Sequence, residues 1–210
     1  MKVPVSIVAI LLLMQSLFTA CKKTEPDVLI PETHTDTIQA ETVKPKPNTS
    51  VIAGESIGNI VLEMPVDQLA FLGEPDLSDA AMGKSWMTWY SDSSEAVSGK
   101  YELNIFTNYK DDTMKQKVVR LIRATSPEFL VDSIGPGAKM PEVRERFPDI
   151  RNVGDYAHGK TKDFISIYDD EPRGIAFEFL NDSCVGIIIH PKENDVTLDY
   201  RTFRPDMTLR

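Results

Sequence analysis

"SIGNIVLEMPVDQLAFLGEPD", residues 56–76, governs how the rest of the chain is read, because a shorter echo of it returns as "SIGPGAKMPEVRERFPD" at 133–149. Ile57-Gly58 correspond to Ile134-Gly135, Met64-Pro65 to Met140-Pro141, and Pro75-Asp76 to Pro148-Asp149. Each time a Ser-Ile-Gly turn leads into a short helix that stops at a proline. Pro65 and Pro141 suit a first helical turn, where a missing N–H breaks no hydrogen bond. Gly73 supplies a permissive stop ahead of Pro75. Self-similarity of this kind predicts a duplicated unit.

The segments downstream repeat in the same order. "WMTWY" (86–90) lies 78 residues before "FISIY" (164–168), matching Trp86 to Phe164, Thr88 to Ser166 and Tyr90 to Tyr168. "YELNIF" (101–106) and "IAFEF" (175–179) both alternate, which sets Tyr101, Leu103 and Ile105 on one strand face and Ile175, Phe177 and Phe179 on another. "VVRLI" (118–122) and "VGIII" (185–189) close the two units, while "EFLVDSI" (128–134) and "TLDYRTF" (197–203) are each expected to add a strand. The expected fold class is α+β: two tandem repeats, 51–126 and 127–203, each a short helix packed on a three- to four-stranded antiparallel meander. A tail, 204–210, follows.

The first fifty residues read differently. Lys2 and the apolar run Val3–Leu13 precede "MQSLFTAC", a secretory signal over 1–20. Gln15 and Ser16 break the run well short of the ~20 apolar residues that a spanning helix needs. Residues 22–50 hold four Pro, six Thr and neither Gly nor an aromatic, so they cannot bury a core. They read as a tether of at most about 90 Å when fully extended. Residues 51–210 carry 18 basic and 27 acidic groups, net −9, a sign that argues against nucleic acid and against adhesion to an anionic membrane surface.

"LFTAC" (17–21) resembles the lipobox of bacterial lipoproteins, which implies a lipidated Cys21, attachment to the membrane through it, and 21–50 as the tether beyond. Two or more acyl chains hold a protein stably at a membrane. Lys22 is not the Asp that marks inner-membrane retention in enteric lipoproteins, so the resemblance favours the outer membrane of the cell envelope. "GNIVLEMPVDQLAFLGEPD" with its following strands and second copy resembles the β-lactamase-inhibitor-protein fold. It is similar also to the small outer-membrane lipoproteins that serve β-barrel assembly. "RERFPD" (144–149) stands where that family has a clear second Gly-Pro. The resemblance implies a non-enzymatic protein that binds another protein through sheet surfaces. An inhibitor of an envelope hydrolase and a small-molecule or glycan binder are the alternatives.

The search for catalytic chemistry is negative. His34, His158 and His190 form no metal-ligand spacing, and no metal or cofactor is expected. "MGKSW" (82–86) lacks the first Gly of a phosphate loop, and "GPGAKM" (135–140) lacks the third Gly of a dinucleotide turn. "SDSSEA" (91–96) and "YDDEPRG" (168–174) read as acidic turns without the ligand spacing of a calcium loop. Cys184, with Cys21 lipidated, has no disulfide partner and reads as a buried structural thiol.

The aromatic stretch supplies the candidate binding residues. On a strand, Trp86, Thr88 and Tyr90 share one face and Met87 and Trp89 the other. Met87 and Trp89 make the better core pair, which assigns Trp86, Thr88 and Tyr90, with Phe164, Ser166 and Tyr168, to the outer face. That face is either a partner-binding surface or is covered by the other repeat or by the tail.

Overall fold

Two strands are buried along most of their length, 117–124 (KVVRLIRA) and 183–189 (SCVGIII), and they meet in the middle of a single large sheet. A strand buried on both faces cannot sit at an exposed edge without leaving apolar side chains and backbone groups in water. Pairing them removes two edges at once, and that pairing organises the chain.

The computed structural model describes residues 48–91, 100–158, 163–199 and 207–209, all within the unit Pro45–Arg210. Three two-residue strands come first: β1 (Val51–Ile52), β2 (Ser56–Ile57) and β3 (Ile60–Val61). A 3-10 helix, Val66–Leu72, leads to β4 (Leu77–Ala81), β5 (Lys84–Tyr90), β6 (Glu102–Tyr109) and β7 (Lys117–Ala124). Helix α1 (Met140–Arg146) leads to β8 (Arg151–His158), β9 (Phe164–Asp170), β10 (Ile175–Leu180) and β11 (Ser183–Ile189), with β12 (Met207–Leu209) last. The small strands form one sheet, β1-β2-β3. The other nine form a second in the order β12-β8-β9-β10-β11-β7-β6-β5-β4, with each neighbouring pair antiparallel.

This order overturns the expected fold class. The chain is mostly β. The α+β arrangement of two helix-on-meander repeats, 51–126 and 127–203, is not what forms, because β7 and β11 pair and carry both runs of strands into one sheet. The two helical segments are seven residues each and cover one face of that sheet rather than founding separate layers. "EFLVDSI" does not become a strand. Asp132 and Ser133 take φ of 48° and 67°, and the chain doubles back so that Val131 and Ile134 bridge each other. Residues 197–199 are helical, and the rest of "TLDYRTF" lies outside the described residues.

The helix starts and stops follow local chemistry. Pro65 stands at the start of the 3-10 helix and Gly73, at φ 73°, ends it. In α1, the Glu142 carboxylate accepts the Lys139 backbone N–H at 2.6 Å. Val143 and Phe147 point inward, where Phe147 meets Phe177 with ring centroids 4.9 Å apart.

The sheet carries a hydrophobic cluster on each face. The larger holds Ile105, Val119, Ile122, Phe177, Ile187 and Ile189 under the helical segments and the small sheet. The smaller holds Phe106, Leu121, Tyr156, Ile167, Ala176 and Ile188, with Val196 beside them. Register decides membership: Phe106 opposes Trp86 and Leu121, so all three stand on the second face.

Candidate functional site

The second face is where polar and aromatic groups meet. Arg123 on β7 sends Nε and Nη2 to the two oxygens of Glu178 on β10, each at 2.7 Å. The same guanidinium donates through Nη1 to Glu102 and to the Asn104 amide oxygen, both at 2.7 Å. Asn104, its oxygen thus held, donates from Nδ2 to the Thr88 hydroxyl at 2.8 Å. The network runs from β10 through β7 and β6 to β5 and ends beside Trp86. The Arg123 side chain is 7% exposed and that of Glu178 0%, so the two charges neutralise each other in a dry setting where an uncompensated ion is costly.

Glu178 and Arg123 do not sit on neighbouring strands. β11 runs between them, and its residue at the crossing is Gly186, opposite Glu178 in register. A Cβ there would stand 2.7 Å from Glu178 Oε2 and 3.6 Å from Arg123 Nε. The missing side chain opens the lane through which the two reach each other. A glycine inside the otherwise apolar "CVGIIIH" was the available sequence signal for such a close approach. In the sequence, that stretch marks the closing strand of the second unit and a buried Cys184, with no role for Gly186.

The six candidate residues do not share a face. Trp86 packs against the second-face cluster, and Thr88 is buried in the polar network. Tyr90 is half-buried, with its backbone N–H donated to Asp76 Oδ2 at 2.8 Å and the Lys100 ammonium 5.7 Å from its ring. Tyr168, by contrast, packs on the larger core, edge-on to Phe179 at 5.4 Å, with the Arg144 guanidinium 5.4 Å from its ring. Ser166 and Phe164 follow it by alternation. Ser166 donates to Asp155 at 2.6 Å, and Phe164 is exposed. Met87 and Trp89 pack on the larger core, with the Trp89 indole N–H donated to the Gly73 carbonyl at 3.3 Å. The matched segments thus lie on β5 and β9, but the two aromatic triplets face opposite ways, because the line of paired residues from Tyr168 runs through Phe177, Ile187, Ala124 and Leu103 to Trp89, not to Trp86 or Tyr90.

Titratable groups outside the network are locally satisfied. His190 is buried between Asp169, 2.9 Å from Nε2, and the Pro191 carbonyl, 3.0 Å from Nδ1. Asp169 also accepts the Val196 N–H at 3.3 Å, which ties the segment after β11 to β9. Burial pushes the Cys184 thiol up to about 12, and its Sγ–H donates to the Gly186 carbonyl. Burial also raises the Asp170 and Asp199 carboxyls above the usual range. Among the described residues, no group of His, Cys, Asp or Glu is arranged to hold a metal, and no helix is long and apolar enough to cross a membrane. Cys21, His34 and the stretch 92–96 of "SDSSEA" lie outside the described residues.

Two cavities of about 440 and about 400 Å³ meet at Pro172 and Arg173. Trp86 lines neither. The first is bordered by Val51, Asp132 and Lys192, the second by Asp149, Arg151, Asp170 and Glu193. Arg173 is committed to structure, paired with Asp132 at 3.2 Å and stacked 4.3 Å from the Phe147 ring centroid.

No family model and no curated protein matches this chain. A solved structure, an extracellular protein containing a SCP domain from Bacillus anthracis str. Ames, is 13% identical with a TM-score of 0.34. The match covers 89% of this chain and 54% of that one, so this chain spans about half its length. Likeness at this level carries no argument about fold or function.

Proposed function

We propose that this protein is a non-enzymatic lipoprotein of the bacterial cell envelope, anchored through Cys21, that binds another protein on the second face of its large sheet. Trp86 is the observation that carries the binding part. It stands half-buried on the sheet face opposite the 3-10 helix and α1, backed by Phe106 and flanked by Leu77, whose partner in register is Thr88 and which is 47% exposed. A tryptophan held in place by a rigid strand offers a large contact area with little conformational entropy left to lose, which is why such residues dominate binding hot spots. Thr88, locked from below by Asn104, keeps the neighbouring surface from rearranging.

The anchoring part rests on "LFTAC", and the net charge of −9 over residues 51–210 supports a protein partner rather than nucleic acid. Two substitutions test the reading. Cys21→Ser should release the protein from the membrane fraction and abolish acyl labelling, and retention with labelling intact would refute the anchor. Trp86→Ala should weaken capture of the partner from solubilised membranes by ~2 kcal/mol or more. Trp89→Ala should instead lower stability, by roughly 2–4 kcal/mol for a part-buried core aromatic. Undiminished capture by Trp86→Ala would remove the face from consideration.

A further inference from the structure

β4 ends the large sheet, and all five of its residues, Leu77–Ala81, are exposed. It joins β5 through Met82 and Gly83, whose φ values of 49° and 83° make a two-residue hairpin turn with both central residues left-handed. In such a hairpin the residues flanking the turn, Ala81 and Lys84, form a hydrogen-bonded pair, and bonded and non-bonded pairs then alternate. Asp79–Trp86 and Leu77–Thr88 are therefore bonded pairs. The N–H and C=O groups of Ser78 and Ala80 point the other way, out of the sheet, and no described strand lies beyond them.

Of the usual defences of a free edge, β4 itself has only a single charge, Asp79. β4 holds no lysine, no proline and no bulge, only small residues, Leu77 and one carboxylate. At the opposite end, β8 is covered by β12 through Met207–Leu209. Pro75 has no N–H with which to continue pairing, and the Asp76 carboxylate accepts the Tyr90 N–H in its place. The segment from Glu74 to Ala81 carries three acids and no base.

We propose that this edge receives an extended strand of another protein, with a basic side chain opposite Asp79. The open groups of Ser78 and Ala80 supply the backbone hydrogen bonds, as strand addition requires. Asp79 selects the charge. A second copy of this chain is a poor occupant, since antiparallel pairing of two β4 strands gathers Asp76 and Asp79 of both copies in a protein already at net −9 over residues 51–210. The inference rests on the protein-binding reading, and it names the partner's chemistry at the edge strand beside Trp86, whose register partner is Asp79.

The test uses the purified full-length chain in detergent and fluorescence anisotropy with a dye-labelled peptide, TVKVTVK. Saturable binding is expected, with the glutamate counterpart TVEVTVE about tenfold weaker or worse. Ala80→Pro removes one outward N–H and leaves every β5 bond in place, so it should weaken binding about three- to tenfold, the worth of a hydrogen bond. Asp79→Lys should reverse the charge preference. Met114→Ala, in the exposed turn between β6 and β7, should leave peptide binding within about twofold. Circular dichroism checks that Ala80→Pro folds, and if it does not, TVKVTVK N-methylated on alternate amides replaces it and must bind weakly. Absence of saturable binding, equal binding of both peptides, or full binding by folded Ala80→Pro overturns the proposal. So does a dimer on gel filtration that Ala80→Pro abolishes. Loss of partner capture in Trp86→Ala with normal capture in Ala80→Pro would leave the face reading standing and refute the edge alone.

Discussion

Replacing Glu178 by Leu removes the carboxylate that takes two of the guanidinium hydrogen bonds of Arg123. The guanidinium keeps Glu102 and Asn104, but the Glu102 side chain is one-third exposed and offsets a buried charge less well. Breaking a buried pair from one side typically costs 3–5 kcal/mol, and the surviving contacts place Glu178→Leu near ~3 kcal/mol. Arg123→Met strands the carboxylate of a fully buried glutamate and should lie nearer ~4 kcal/mol. Replacing both with apolar groups of similar volume removes the charges together, and such exchanges are often neutral. The double variant should therefore lose less than either single one. Urea unfolding followed by tryptophan emission suits the experiment, because β5 holds both tryptophans. With a slope of ~2 kcal/mol per molar urea, each single change should lower the midpoint by about 1.5–2 M. Additivity of the two singles within ~0.5 kcal/mol would mean that the pair is not coupled, and the account of the second face would fail.

Gly186→Ala should destabilise by about 1–3 kcal/mol, since its Cβ would meet a Glu178 carboxylate that Arg123 holds in place, and the same unfolding measurement reads it. Cys184, its thiol pushed up to about 12, should resist iodoacetamide at pH 8, where about one molecule in ten thousand is thiolate, and react once urea unfolds the chain; rapid native labelling would refute its burial. Burial raises the Asp170 carboxyl, so the folded state holds its proton more tightly than the unfolded one. Its contribution is fully present below the unfolded value near 3.8 and is lost as pH rises through the folded value. Asp170→Asn should therefore gain more stability at pH 7 than at pH 3, and thermal melts showing an equal or opposite gain would refute that sign.

Local chemistry made part of this molecule readable from its residues. The turn at Gly73, the proline at the head of each helical segment and the alternation in "YELNIF" and "IAFEF" are decided by backbone sterics and by the two-residue period of a strand, which act over a few residues. Parity alone separated Trp86 from Trp89. The length of the helical segments was legible as well, and their importance was overrated, because seven residues cannot found a layer of their own. What only the tertiary structure decided was which strands lie side by side. Nothing local says that β7 pairs with β11, although both are buried along most of their length; that choice follows from hiding two edges at once. From it come the single nine-stranded sheet, the meeting of Arg123 and Glu178 across Gly186, and the exposure of β4 at the far end. The opposed facing of Trp86 and Tyr168 has the same kind of origin: the strand pairing sets Tyr168 in line with Trp89 and Asp169 in line with Thr88. That alignment is set by the packing of whole faces, which the alternation of a single strand does not contain.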